Sequence, residues 1–163
     1  LGTVLAEFAG GFEVRTQAGA PGTGMVQNLE FSDSLRAAFL VFGHMATPRV
    51  LSDPTLRQIL GREGETMQKT LLADPRPQTF LELSYQFGRQ TGLVSEPLLR
   101  LQDTLSAQGI VAPMLMFGNG LFTLVESSIL NSILKTFEQS APDARVLFGA
   151  ALDRQGGRSV VSD

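Results

Sequence analysis

The sequence predicts an α+β fold with the split β-α-β order of ferredoxin-like domains, and three observations carry that reading. From residue 36 onward, the local signals run strand, helices, strand, strand, helix, strand. Hydrophobic residues make up 43% of the 163-residue chain against 18% charged, which is ample material for a packed core. Residues 1–34 hold only a helix and a hairpin, which cannot bury their own apolar faces. They are therefore expected to be the trailing part of one domain, with a second domain over 35–163.

The elements follow in order. Val4, Leu5 and Phe8 have helical spacing and stop at Gly10-Gly11. Phe12, Val14 and Thr16 alternate with Glu13 and Arg15, as in a strand. The loop Gly19–Gly24 is too rich in Gly and Pro for regular structure, and Met25–Phe31 returns as the second strand of a hairpin. Ala37–Phe42 is a short apolar run ending at Gly43, which fits a buried strand. Ser52 or Asp53 caps a helix through Leu60, with Pro54 in its first turn. A second helix is expected over Glu63–Leu72. A third covers about Gln78–Thr91, with Phe80, Leu83 or Ser84, and Phe87 on one face. A fourth starts at Ser95 and carries Leu98, Leu101 and Leu105 on one stripe. Ile110–Phe117 and Leu121–Val125 read as strands flanking a Gly118-Asn119-Gly120 turn. Ile129, Leu130, Ile133, Leu134 and Phe137 define an amphipathic helix, and Ala144–Leu152 a last strand.

Charge and composition exclude several functions. Lys plus Arg number 13 against 16 Asp plus Glu, for a net charge of -3, so the basic face of a nucleic-acid binder is lacking. No apolar run approaches the length of a membrane span, and no signal peptide is visible. Cysteine is absent, and a single histidine, His44, makes a histidine-based zinc site a poor fit. A cytoplasmic home is compatible with this. The chain opens at Leu1 directly in helical sequence, as a fragment or processed product does. An apolar face left on residues 1–34 would favour self-association, and a homodimer is expected.

Three segments carry chemical interest. In Gly10–Arg15 the glycines permit positive φ and close approach of a ligand, while the Arg15 fork suits a carboxylate or phosphate. A hairpin with a surface arginine explains the same residues. His44–Asp53 follows a strand end, where loops often present ligand-binding groups. Thr47 there is either a substrate contact or a helix cap, and His44 either an edge histidine or a base. The run Ala112–Phe122 places Met and Phe around Gly118-Asn119-Gly120, whose geometry a tight hairpin explains without a ligand.

Taken together, these segments resemble GHMP-type small-molecule kinases, within them the archaeal pantoate kinase group, over its carboxy-terminal portion. LGTV, GGFEVR and QAGAPG are similar to a family stretch in which Gly-Asp-Val leads into Gly-Gly, a strand ending in Arg, and Pro-Gly-Ala-Pro-Gly. ATPRVLSD resembles Ser-Thr-Lys-Glu-Ile-Leu-Ser-Asp. MLMFGNGLF resembles the group's third motif, Met-Ala-Met-Leu-Gly-Asn-x-Val-Phe. The three matches lie in order and span residues 1 to about 125.

The resemblance implies a GHMP-kinase C-terminal domain with extra helices, preceded by the end of a ribosomal-S5-like N-terminal domain. It implies transfer of the ATP γ-phosphoryl group to pantoate, giving 4-phosphopantoate for coenzyme A biosynthesis. ATP and Mg would be bound mainly by a glycine-rich loop upstream of Leu1, so this chain would carry acceptor-side elements only and be inactive alone. Arg15 stands at the position expected to pair with the substrate carboxylate, Thr47 near the acceptor, and Gly118, Asn119 and Gly120 near the phosphates. Thr3 stands where the family has a catalytic aspartate, and a threonine hydroxyl is no base near neutral pH. Another group takes that role, the homologue is impaired, or the residue was altered. Two competing readings are a GHMP kinase for another hydroxy acid, such as mevalonate, and a non-catalytic module on a kinase fold.

Overall fold

The computed structural model describes residues 8–44, 52–116 and 118–157. These divide into two units, one of residues up to Asp33 together with those from Ala151, the other Ser34–Ala150.

In the first unit, β1 (Phe12–Gln17) pairs antiparallel with β2 (Met25–Leu29), so that Glu13 faces Asn28 and Arg15 faces Val26. The connecting turn closes on one carbonyl, Ala20 O, which accepts the N–H groups of Thr23 and Gly24. Phe12 meets Phe31 edge-on at 5.8 Å, and the Arg154 guanidinium lies 4.5 Å from the Phe31 ring centre while pairing with Asp33 at 2.6 Å. The helix expected over 1–9 lies almost wholly outside the described residues.

The second unit is built on a sheet of order β4-β3-β5, with β3 Leu35–His44, β4 Gly118–Glu126 and β5 Val146–Ala151. β3 and β4 run antiparallel, Leu40 opposite Leu121 and Phe39 opposite Phe122. Strand alternation then separates two faces. Ala38, Leu40 and Leu121 are fully buried and belong to one core with Leu98 and Leu105 of α3 (Glu96–Ser106) and Phe137 of α4 (Leu130–Ser140). On the opposite face Phe39 stacks between Phe148 (4.8 Å) and Phe122 (6.4 Å), and Phe80 of α2 (Pro77–Gln90) reaches Phe122 at 6.0 Å.

Several expectations need correction. The two helices expected over 53–60 and 63–72 are one, α1 (Pro54–Ala73). Gly61 and Gly64 weaken a helix by about 1 kcal/mol each but do not end it. Asp53 caps it, accepting the N–H groups of Thr55 (2.9 Å) and Leu56 (3.1 Å), and Leu56 and Leu60 pack onto the core. On α2 the fully buried residues are Thr79, Leu81 and Gly88, while the expected face of Phe80, Leu83 or Ser84, and Phe87 is half-buried. Phe80 meets Phe122 of the aromatic face, and Phe87 packs against the core.

The strand expected over Ile110–Phe117 is reduced to a single bridge between Met114 and Leu121. Pro113 has no N–H for a ladder. The carbonyls of Val111 and Ala112 are taken by side chains, Thr123 Oγ1 at 2.8 Å and Gln102 Nε2 at 2.9 Å. With this segment beside β4, the split β-α-β order expected from the sequence is retained.

The α1–α2 corner is held by Asp74, whose carboxylate accepts Arg76 Nε (2.6 Å) and Thr79 Oγ1 (2.7 Å). Hydrogen bonds first from Arg76 and then from Thr79 hold its pKa down, from 3.8 to about 2. A depressed carboxyl pKa stabilises the fold above the unfolded value and loses that contribution as pH falls toward the folded one. Melting temperatures measured from pH 6 to pH 2 are therefore expected to fall between about pH 4 and 2. The fall should be shallower in Asp74→Asn, which lacks the ionising group.

Candidate functional site

Each unit holds some of the sequence-predicted constellation. In the hairpin unit, Arg15 is exposed on β1, on the strand face opposite Phe12 and Val14. Of the glycines before it, Gly10 serves the chain's own packing. Gly10 has φ 66°, and a Cβ there would lie 2.2 Å from the backbone nitrogen of Gly156. Gly11 N–H donates to Asp153 O at 2.7 Å. The close approach at Gly10 is thus made by Gln155 and Gly156, whereas a Cβ on Gly11 would meet nothing within 4 Å.

In the Ser34–Ala150 unit, Gly118, Asn119 and Gly120 are not a turn between two strands. They open β4, opposite His44, Gly43 and Val41 across an irregularity in β3. The turn lies one step earlier, where Gly118 N–H donates to Leu115 O at 2.9 Å, and Leu115 N–H donates to Gly120 O at 2.9 Å. Gly120 is required by packing, because a Cβ there would stand 2.4 Å from Leu40 O.

Asn119 contributes to a cavity of about 590 Å³. Phe42 of β3 and Leu98 and Leu101 of α3 form apolar wall, and Ser95 and Asp143 add polar groups. Ser95 sits at the N-cap of α3 without a side-chain capping bond. A mostly apolar cavity with a few convergent polar groups suits a small molecule. Ser95 and Asp143 were not among the sequence candidates. They lie 24 residues on either side of Asn119, and only the packing of α3 and the segment after α4 onto the sheet brings them to it.

Thr3 and Thr47 lie outside the described residues. Among the described residues, no group of three or more His, Cys, Asp or Glu side chains is arranged to hold a metal ion. No helix among them is long and apolar enough to cross a membrane.

The fold is that of the C-terminal portion of GHMP-type kinases. A solved structure described as a phosphotransferase related to the CoA biosynthesis pathway superposes with a TM-score of 0.71 at 27% identity, covering 93% of this chain and 48% of that one. Homoserine kinase from Cytophaga hutchinsonii (TM-score 0.58, 12% identity, 91% of this chain and 50% of that one) shares the fold. So does MDDEF in complex with MVAPP, AMPPCP and magnesium (TM-score 0.58, 16% identity, 85% and 51%).

Within that class the chain is similar to archaeal pantoate kinases, over their C-terminal portion. It is 34% identical over 126 residues to pantoate kinase of Thermococcus kodakarensis, covering 77% of this chain and 41% of the relative. It is 28% identical over 134 residues to pantoate kinase of Methanocaldococcus jannaschii, covering 82% and 48%. The chain thus spans under half the length of the curated relatives it matches. No family model matches it.

Proposed function

We propose that this chain belongs to an ATP-dependent pantoate kinase of the cytoplasm, acting in coenzyme A biosynthesis, and that it carries the acceptor side of the site. The observation that carries this reading is the sequence match to two pantoate kinases, with an exposed strand arginine, Arg15, where the motif expects a carboxylate partner. Phosphoryl transfer depends on positioning and charge stabilisation more than on covalent work by the protein. In this reading Arg15 holds the pantoate carboxylate through two parallel N–H···O bonds, Thr47 contacts the acceptor, and Gly118–Gly120 pack near the phosphates. The nucleotide and any magnesium are held mainly by the stretch of the relatives' length that this chain does not span. These 163 residues alone then bind the acceptor without turning it over.

Two measurements test this. A panel of hydroxy acids offered with ATP to the protein carrying this chain is expected to show turnover of pantoate, and its absence would sink the assignment. Titration calorimetry is expected to show pantoate binding weakened about 10- to 100-fold in Arg15→Ala, the worth of a charge-assisted pair. Equal affinities remove Arg15 from the site. Thr3 favours one other reading, a non-catalytic binding module, which turnover of any hydroxy acid excludes.

A further inference from the structure

The cavity beside Asn119 has the wrong charge for an anionic substrate, and the fold leaves its polar side chains unused. We propose that it is a second small-molecule site, lying wholly within the Ser34–Ala150 unit, which takes a primary amine carried on an apolar body.

The core sets the floor of the cavity. Leu98 and Leu101 project from α3 and are 1% and 9% exposed, and Ala141, just past α4, is 4% exposed. Strand alternation carries Phe42 to the face of Leu40 and Asn119 to the face of Leu121, which is the core face of the sheet. Across the ladder the partner of Asn119 is Gly43, which has no side chain to cover it. The rim is polar: the Asn119 amide, the Ser95 and Ser140 hydroxyls and the Asp143 carboxylate. None of these four side chains makes a hydrogen bond or ion pair with another described residue. Ser95 departs furthest from habit. A serine at an N-cap ordinarily accepts a free N–H of its helix, and this one does not. These groups hold nothing of the fold together, and all four converge on one apolar floor, as ligand-orienting groups do.

Charge selects the ligand. Among the described residues, Asp143 is the one charged side chain in the lining, and no lysine, arginine or histidine joins it. Arg145, two residues on, makes no ion pair with it. The N-terminal end of α3 attracts anions, but Glu96 in its first turn offsets that pole, and Arg100 is engaged by Glu96 at 2.9 Å. A carboxylate or phosphate entering the cavity therefore meets a like charge with no cation to compensate, at a cost that rises as water is excluded. An ammonium group gains from the same arrangement. It has three N–H donors, and Asp143, Ser95, Ser140 and Asn119 each carry an acceptor oxygen. The remainder of the ligand lies on Phe42, Leu98 and Leu101 and is apolar for that reason.

The test uses the protein that carries this chain and three probes of similar shape: phenethylamine, phenethyl alcohol and hydrocinnamate. Amide and methyl NMR shifts are followed during titration. Saturable shifts at Leu98, Leu101 and Asn119 are expected with phenethylamine, at an affinity about 10-fold above that for phenethyl alcohol, and none with hydrocinnamate. Asp143→Asn is expected to erase the preference for the amine while leaving phenethyl alcohol within about 2-fold, since charge changes and size does not. Ser95→Phe fills the cavity from its rim and is expected to abolish binding of both. Ser95 and Asp143 are exposed, so both variants are expected to melt within about 2 °C of wild type. If Ser95→Phe melts early, Asp143→Asn decides. Hydrocinnamate binding as tightly as the amine, shifts confined to other residues, no saturable binding of the amine, or an undiminished preference in Asp143→Asn each overturns the proposal. None of these outcomes bears on the kinase reading, which turnover of pantoate decides.

Discussion

Truncating Phe137 to alanine is expected to destabilise the Ser34–Ala150 unit by about 3–5 kcal/mol, measured by urea unfolding. Phe137 is 0% exposed and heads the fully buried side chains by volume. It projects from α4, an 11-residue helix, and helices of that length are marginal in water without tertiary packing. The ring therefore does two things. It fills core volume against β3 and α3, and it anchors the apolar stripe of Leu130, Ile133 and Leu134, which pack only partly against that core. Its removal leaves a void that Leu40 and Leu121, already in β3–β4 register, cannot collapse into. Phe148→Ala is the control. That ring is 44% exposed on β5, and its loss is expected to cost much less.

Gly120→Ala is the second large effect expected, and it reaches the site as well as the fold. The added Cβ would meet Leu40 O at 2.4 Å and the Val41 Cα at 3.1 Å, both backbone atoms of the paired strand. Backbone cannot swing aside as a long side chain can, so β3 and β4 must separate locally. Overpacking of this kind costs about 1–3 kcal/mol. The separation falls next to Asn119, so the cavity that Asn119 lines is expected to deform as well. Hydrogen exchange distinguishes this from general loosening. The Leu115 and Gly118 amides, bonded to Gly120 O and Leu115 O, are expected to exchange faster, while amides at the Leu35–Glu126 end of the ladder keep their protection. Uniform acceleration along the ladder would count against a local clash.

Much of this was legible before any coordinates. The hairpin from Phe12, the buried strand at Ala37–Phe42, the cap at Asp53 and the stripe Leu98-Leu101-Leu105 each rest on local rules: alternation, capping chemistry or helical spacing. The failures have a common cause. Ile110–Phe117 has strand composition, but Gln102 and Thr123 take the carbonyls that a ladder needs, from 10 and 12 residues away in sequence. Gly61 and Gly64 look like breaks, but a helix with packed leucines before them and Leu71 after them runs through. Thr3 and Thr47 keep the standing that their motifs give them, since both lie outside the described residues.

The sequence by itself determined most of the order of the elements, the three ordered motifs, and through them the resemblance to GHMP-type kinases, because such signals live within a few residues of each other. Tertiary structure alone decided that Gly120 serves strand packing, that Gly10 makes room for Gly156, and that Ser95 and Asp143 join Asn119 around one cavity. It also left one oxygen of Glu13 buried without a partner, on the strand that carries Arg15. These facts depend on which distant atoms arrive next to each other, and no local pattern in the chain encodes that.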